Sequence, residues 1–369
     1  MDFFLNIPNN EIGNTLTERI LAQSDSIKFH KTLPDYSNSK LFELKNLSTK
    51  LGVDNIYLKD ESTRFNLNAF KGLGASYAIR KLLIEDPQIS VFCTATDGNH
   101  GKAVAWSASI NKKKSVVYVP KDTTKERIDA IAQYGGEVIQ LDMNYEETCN
   151  HAAKQSGLNN WMLVQDTSWD GYEKIPALIM SGYLTHFKEM EDSINLFQKP
   201  KIDIIFLQCG VGSWPASCIW YYLNRYRTNR PKIVLVEPNE ASGVLSSFMH
   251  NQRVSPKGNF ETIMAGLNCG IPSKSAWEII KKGCDAVMTI SDKDARNAMR
   301  TLYKPKENSK RIISGESGSA GLAGLIKCIK DPGMSKLNEH IGLNSKSRIL
   351  LFNTEGDTDK ESFKSIVEL

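Results

Sequence analysis

Residues 204–223 read IIFLQCGVGSWPASCIWYYL: a five-residue apolar run, a glycine-containing turn, then a stretch of helical character. Strand, turn and helix in that order form half of a parallel crossover unit. Similar short runs recur at 56–60 (IYLKD), 91–96 (VFCTAT), 115–120 (SVVYVP), 137–142 (EVIQLD), 162–166 (MLVQD), 232–238 (KIVLVEP), 286–291 (AVMTIS) and 348–354 (RILLFNT). Helical patterns lie between most of them. In TTKERIDAIAQYGG, Thr123 is placed to cap, Ile128 and Ile131 share a face, and Gly135–Gly136 ends the helix. The expectation is an α/β fold built on largely parallel sheets.

The chain has 369 residues, about two domains at ~150 residues each. Hydrophobic residues make up 41% and charged residues 24%, the balance of an ordinary globular protein. A net charge of +4, spread over 46 basic and 42 acidic residues, leaves no stripe of one sign for nucleic acid. The seven cysteines include no C-x-x-C pair and the histidines no H-E-x-x-H pattern, so neither a disulfide framework nor a metal is expected. The start MDFFLNIPNNEIGN lacks a basic, apolar leader, and no apolar run reaches ~18 residues. No membrane association and a cytoplasmic location are expected.

In NLNAFKGLGASYAIRKLL (66–83), Lys71 stands on the apolar side of a helical pattern, because steps of four, seven and eleven land on Ala75, Ala78 and Leu82. A lysine that snorkels from the helix rim would give the same pattern. The alternative is a reactive amine, its ammonium form disfavoured by desolvation and by the helix N-terminus. The turn after 204–208 supplies backbone N–H groups for an anion, with Pro215 able to open the helix. It lacks the third glycine of the dinucleotide fingerprint and the lysine of a triphosphate loop, and a plain tight turn reads equally well. An amine and an anion cradle together suit a cofactor with an aldehyde at one end and a phosphate at the other, which describes pyridoxal 5′-phosphate.

The segment TATDGNHGKAVAWSA (94–108) resembles the asparagine loop of the fold-type II pyridoxal-phosphate enzymes, relatives of tryptophan synthase β and threonine dehydratase. The set NLNAFKGLG, TATDGNHG, VQDTSWDGYEKIP, TIMAGLNCG, SGESG and TEGDTD is similar to the diaminopropionate ammonia-lyase family, in unchanged order from about residue 40 onward. The resemblance implies two three-layer α/β/α domains with mostly parallel sheets. Residues 1–88 and 187–369 would form a large cofactor-binding domain and 89–186 a small one, in a homodimer.

On matching positions, the resemblance implies that Lys71 binds the cofactor aldehyde, Asn99 its ring hydroxyl, and Gly210, Val211, Gly212 and Ser213 its phosphate. Thr354 would face the pyridine nitrogen, and Glu316 would shape the surroundings. Each also has a plainer reading: a capping hydroxyl for Thr354, a helix N-terminal acid for Glu316. Asp97 and Asp166 are the informative acids. Dehydratases of this fold usually carry a small neutral residue at the first position, whereas a substrate with a second amine calls for a carboxylate. As turn or helix caps both would be unremarkable. The expected reaction is α,β-elimination of 2,3-diaminopropionate to pyruvate and two ammonia, with Lys71 on one face of the cofactor and Asp97 or Asp166 on the other.

His100 reads as a packing residue. Asp357 and Asp359 read as turn and cap rather than cation ligands. Ser213-Trp214-Pro215 departs from the small residues expected after GVG and places cofactor affinity in question. A serine or threonine dehydratase and a catalytically silent homologue are the rival readings.

Overall fold

Each of the nine apolar runs contributes a strand, because each can be buried on a sheet face and is closed by a turn or helix cap. The computed structural model describes residues 2–96, 98–195, 202–305 and 310–368. Their strands are β1 (Phe3–Leu5), β2 (Lys40–Glu43), β3 (Asn55–Asp60), β4 (Val91–Ala95), β5 (Lys114–Val119), β6 (Gly136–Gln140), β7 (Met162–Leu163), β8 (Ile204–Gln208), β9 (Lys232–Pro238), β10 (Ala286–Ile290) and β11 (Arg348–Asn353). β1 and β2 were not anticipated. β7 ends at Leu163, so Asp166 lies three residues beyond the strand that the sequence reading had it terminate.

The chain forms two compact units: residues 1–13, 38–63 and 186–369, and residues 14–37 and 64–185. The larger unit holds a seven-stranded sheet among the described residues, ordered β1-β10-β9-β8-β11-β3-β2. Only its edge pairs, β1 with β10 and β2 with β3, are antiparallel. β8 and β10 are buried at every position, as expected for strands covered on both faces. The smaller unit holds a four-stranded sheet ordered β6-β5-β4-β7, parallel throughout. One of its faces packs Cys93, Ala95, Val116 and Tyr118 on Ala152; the other packs Val117 and Val119 on Ala105 and Ile131.

Residues 14–37 and 64–88 fall in the smaller unit, whereas the sequence expectation gave them to the larger domain. Close helix packing explains the difference. The Gly72–Glu85 helix lies so near the Lys174–Asn195 helix that a methyl added at Gly182 would sit 2.2 Å from the Leu73 carbonyl oxygen. His30 ties the first of these segments in as well, through Thr185 Oγ1 at 2.7 Å and the Leu73 carbonyl at 2.9 Å. The helix in 123–136 spans Lys125–Ala132, with Thr124 rather than Thr123 at its cap position.

Candidate active site

Lys71 immediately precedes the Gly72–Glu85 helix with helical backbone angles, φ −57° and ψ −25°. Ala75, Ala78 and Leu82 are buried, so the stripe read from the sequence is real. Its amine is not isolated, however. Lys71 Nζ donates to Asp166 Oδ2 at 2.5 Å and lies 5.4 Å from the centre of the Phe70 ring. Phe70 packs on Tyr183, with centroids 5.0 Å apart. Burial and the helix terminus act against an ammonium at this position, and the carboxylate in contact acts for it.

Burial alone would push the Asp166 carboxyl up. The Lys71 ammonium, with His100 adding to it, outweighs burial and holds the group at about 2, below its ordinary 3.8. Asp166 is therefore anionic at neutral pH. His100 Nε2 faces the Val164 carbonyl at 2.8 Å, which makes Nε2 the protonated nitrogen, and Nδ1 lies 3.9 Å from Asp166 Oδ2. Burial pushes this imidazole below its ordinary range, against the pull of Asp166, so it is neutral at pH 7. It fastens the start of the Asn99–Ile110 helix to the backbone two residues before Asp166, in keeping with a packing role.

Asn99 is the first residue of that helix. Gly101 lets the helix start press on the end of β4: a Cβ there would lie 2.3 Å from Thr96 Cγ2. Asp97 lies outside the described residues.

In the larger unit, β8 leads into Gly210-Val211-Gly212. Gly212 has φ +92°, a left-handed conformation that glycine adopts without strain, and the helix Ser213–Tyr226 starts directly after it. Pro215 is thus the third helical residue, not the first as expected from sequence. Its missing N–H is one of the first-turn groups that have no partner within the helix in any case. Ser273 N–H holds the turn by donating to the Val211 carbonyl at 2.8 Å. The Trp214 ring turns into the interior, where Nε1 donates to His186 Nε2 at 2.9 Å and the ring meets Phe352 edge-on at 5.2 Å. The bulky side chain is therefore accommodated in the interior of the larger unit.

Thr354 follows β11 and is buried. Gln208 Nε2, at the end of β8, donates to Thr354 Oγ1 at 2.9 Å and faces the carbonyls of Phe352 at 3.0 Å and Gly318 at 3.2 Å. Those two carbonyls fix which end of the Gln208 amide is the nitrogen. With two hydrogens for these three acceptors the amide shares one of them, and the Thr354 hydroxyl, an acceptor towards Gln208, has its own proton to give. Glu316 is buried and accepts from Ser362 Oγ at 2.6 Å. Asp359 Oδ1 accepts from Ser362 N–H at 3.0 Å, capping the Lys360–Val367 helix.

Residues 32–354 match the model of the family described as pyridoxal-phosphate dependent enzyme. The chain is 36% identical to diaminopropionate ammonia-lyase of Escherichia coli K12, over 98% of this chain and 96% of that one. The Salmonella typhimurium protein of the same name is 37% identical, over 92% and 90%. A crystal structure of the Escherichia coli lyase, in complex with an aminoacrylate–PLP azomethine reaction intermediate, superposes with a TM-score of 0.90 at 35% identity and covers 100% of this chain and 98% of that one.

The chain belongs to the pyridoxal-phosphate dependent enzyme family, in its diaminopropionate ammonia-lyase branch.

Like other pyridoxal-phosphate dependent enzymes, it uses pyridoxal 5′-phosphate, and its donor set fits that group. Among its residues Lys71 carries an amine, a glycine turn opens the Ser213–Tyr226 helix, and the Thr354 hydroxyl accepts from Gln208, groups of the kinds that an aldehyde, a phosphate and a ring nitrogen call for. Gln208, Tyr183 and the Trp214–His186 pair were missed in the sequence of this pyridoxal-phosphate enzyme. The one usable signal was Gln208, a polar residue closing an otherwise apolar strand at the turn.

Proposed function

We propose that the chain is an ammonia-lyase that eliminates across Cα and Cβ of 2,3-diaminopropionate. The observation that carries this reading is the 2.5 Å contact between Lys71 Nζ and Asp166 Oδ2. Asp166 is an anion whose partner is a lysine ammonium. Once the cofactor engages the lysine amine, that carboxylate needs another cation. The β-ammonium of a diamino acid provides one; serine and threonine do not.

Bound pyridoxal phosphate supplies an aldehyde that condenses with amines and a ring that accepts the electron pair left at Cα. The protein does the rest. Gly210 to Ser213 would hold the phosphate, Asn99 would orient the ring hydroxyl, Thr354 would donate to the ring nitrogen, and Glu316 would close the surroundings. A hydroxyl at the ring nitrogen, in place of a carboxylate, gives a moderate electron sink that favours elimination. Lys71 takes the Cα proton from one face and Asp97 or Asp166 takes it from the other, so both enantiomers are substrates. The Cβ–N bond breaks with its pair on nitrogen and ammonia leaves. Water converts the released unsaturated amino acid to pyruvate and a second ammonia.

Support comes from the presence of Lys71, Asn99, Asp166 and Thr354 and from relatives of this name matched over 90–96% of their length. The test is incubation of the pyridoxal-phosphate-loaded protein with each enantiomer of 2,3-diaminopropionate, with serine and with threonine. Two ammonia per pyruvate from the diamino acids is expected. Pyruvate from serine or 2-oxobutanoate from threonine, with no keto acid from the diamino acids, would replace this reading with a dehydratase. We further propose a cytoplasmic homodimer, checked by cell fractionation and by light scattering that returns twice the chain mass. In the described residues no helix is long and apolar enough to cross a membrane.

A further inference from the structure

Trp214 marks this chain's departure from the small residues expected in the phosphate turn, and its surroundings give the departure a purpose. Its indole N–H occupies the only lone pair of His186 Nε2, so His186 is neutral with its proton on Nδ1. Nδ1 lies 3.8 Å from Glu61 Oε2, a charge–dipole approach longer than a hydrogen bond. The other Glu61 oxygen accepts a short hydrogen bond from Ser39 Oγ. Beyond it, Lys59 Nζ binds the Ser39 carbonyl at 2.8 Å and Glu189 Oε2 at 3.0 Å, in a pair with no solvent exposure. Both Trp214 and His186 pack on Phe352, two residues before Thr354. The backbone of Trp214 belongs to the first turn of the helix that offers its N–H groups to an anion.

We propose that Trp214 and His186 are positioning residues for the phosphate turn: a buried relay that fixes the start of the Ser213–Tyr226 helix and so sets affinity for the phosphate of the cofactor. This rests on the reading of the chain as a pyridoxal-phosphate enzyme. A side-chain hydrogen bond from the second helical residue fastens the turn to His186, on a helix other than its own. Replacing the indole by phenyl keeps an aromatic ring beside Phe352 and removes the donor along with some buried volume, which is why melting temperature is read in parallel.

The experiment compares pyridoxal 5′-phosphate with pyridoxal, which forms the same imine with Lys71 but has no phosphate. Binding of each to cofactor-free full-length protein is followed by imine absorbance, and melting temperature is recorded in parallel. Trp214→Phe and His186→Phe are each expected to weaken pyridoxal-phosphate binding about tenfold and leave pyridoxal unchanged, with no further loss in the double variant. His186→Gln, whose amide oxygen can accept from the indole, is expected to restore most of the affinity. Unchanged pyridoxal-phosphate affinity with a lowered melting temperature would reduce the relay to a structural role and overturn the proposal. So would equal losses for both ligands. If the wild-type protein forms an imine with neither ligand, the cofactor reading itself fails, and this is visible before any variant is made.

Discussion

Gln208 Nε2 sits 2.9 Å from Thr354 Oγ1, held there by the carbonyls of Phe352 and Gly318. The amide thereby sets the direction in which the threonine proton points. Gln208→Glu keeps the shape and reverses the polarity, forcing the hydroxyl to donate inward and setting an acid against two carbonyls. A displaced hydrogen bond of about 1–3 kcal/mol corresponds to a roughly 10- to 100-fold fall in kcat. Steady-state kinetics on 2,3-diaminopropionate checks this, with the fall expected in kcat rather than in KM.

Asp166→Asn removes the anion that Lys71 contacts. Turnover is expected to fall about 10²- to 10⁴-fold for at least one enantiomer, the range for loss of a positioned acid or base. Equal and undiminished rates for both enantiomers in Asp166→Asn and in Asp97→Asn would take the two acids out of the chemistry.

The same pair makes stability depend on pH. The Asp166 carboxyl titrates at about 2 in the folded chain, against an ordinary 3.8. The unfolded chain thus binds the proton first as pH falls. The stabilisation, roughly 2 kcal/mol by linkage, is complete above about pH 5 and lost on the way down to pH 2. Denaturant unfolding of the cofactor-free protein at pH 7 and pH 3 checks it, since the gap between wild type and Asp166→Asn should narrow as the medium is acidified.

Gly182→Ala should cost about 1–3 kcal/mol or more, because the added methyl would lie 2.2 Å from the Leu73 carbonyl oxygen and 2.8 Å from Gly74 Cα, both backbone atoms. Pushing the two helices apart also moves Lys71 at the head of one of them. Calorimetry should show a lower melting temperature together with weakened imine formation. A variant as stable as wild type would mean that the helices separate without strain.

Lys59→Met strands the Glu189 carboxylate in a site with no exposure, and losses of this kind run to about 3–5 kcal/mol. The double change Lys59→Met with Glu189→Leu removes both charges and is expected to recover much of the loss in urea unfolding. Equal instability of the single and double variants would locate the damage in packing instead.

Nine strands were legible because each carries an apolar run long enough to be buried. β1 and β2 were not, since three or four half-exposed residues at a sheet edge leave no pattern to read. Lys71 and Asp166 were each singled out, yet nothing local says that positions 95 residues apart will touch. That contact is made by the fold, and it sets an anion against the lysine amine. The direction of Trp214 was equally hidden. From sequence it reads as an obstacle in an anion turn, and only the presence of His186, 28 positions earlier, explains why the ring points inward. Helix-on-helix proximity at Gly182 drew the unit boundaries away from the strand pattern for the same reason: small residues record where backbones meet but not which partner they meet.

The three-residue strand β1 has a practical consequence. It hems the large sheet: Phe3 to Leu5 cover the outer border of Ala286–Ile290, and Asn6 pins the hem by bonding the carbonyls of Lys281 and Cys284. Trimming these few residues, or crowding them with a fused tag, would unpick that hem and offer a ready seam to a neighbouring molecule, so precipitation during purification would be the first symptom.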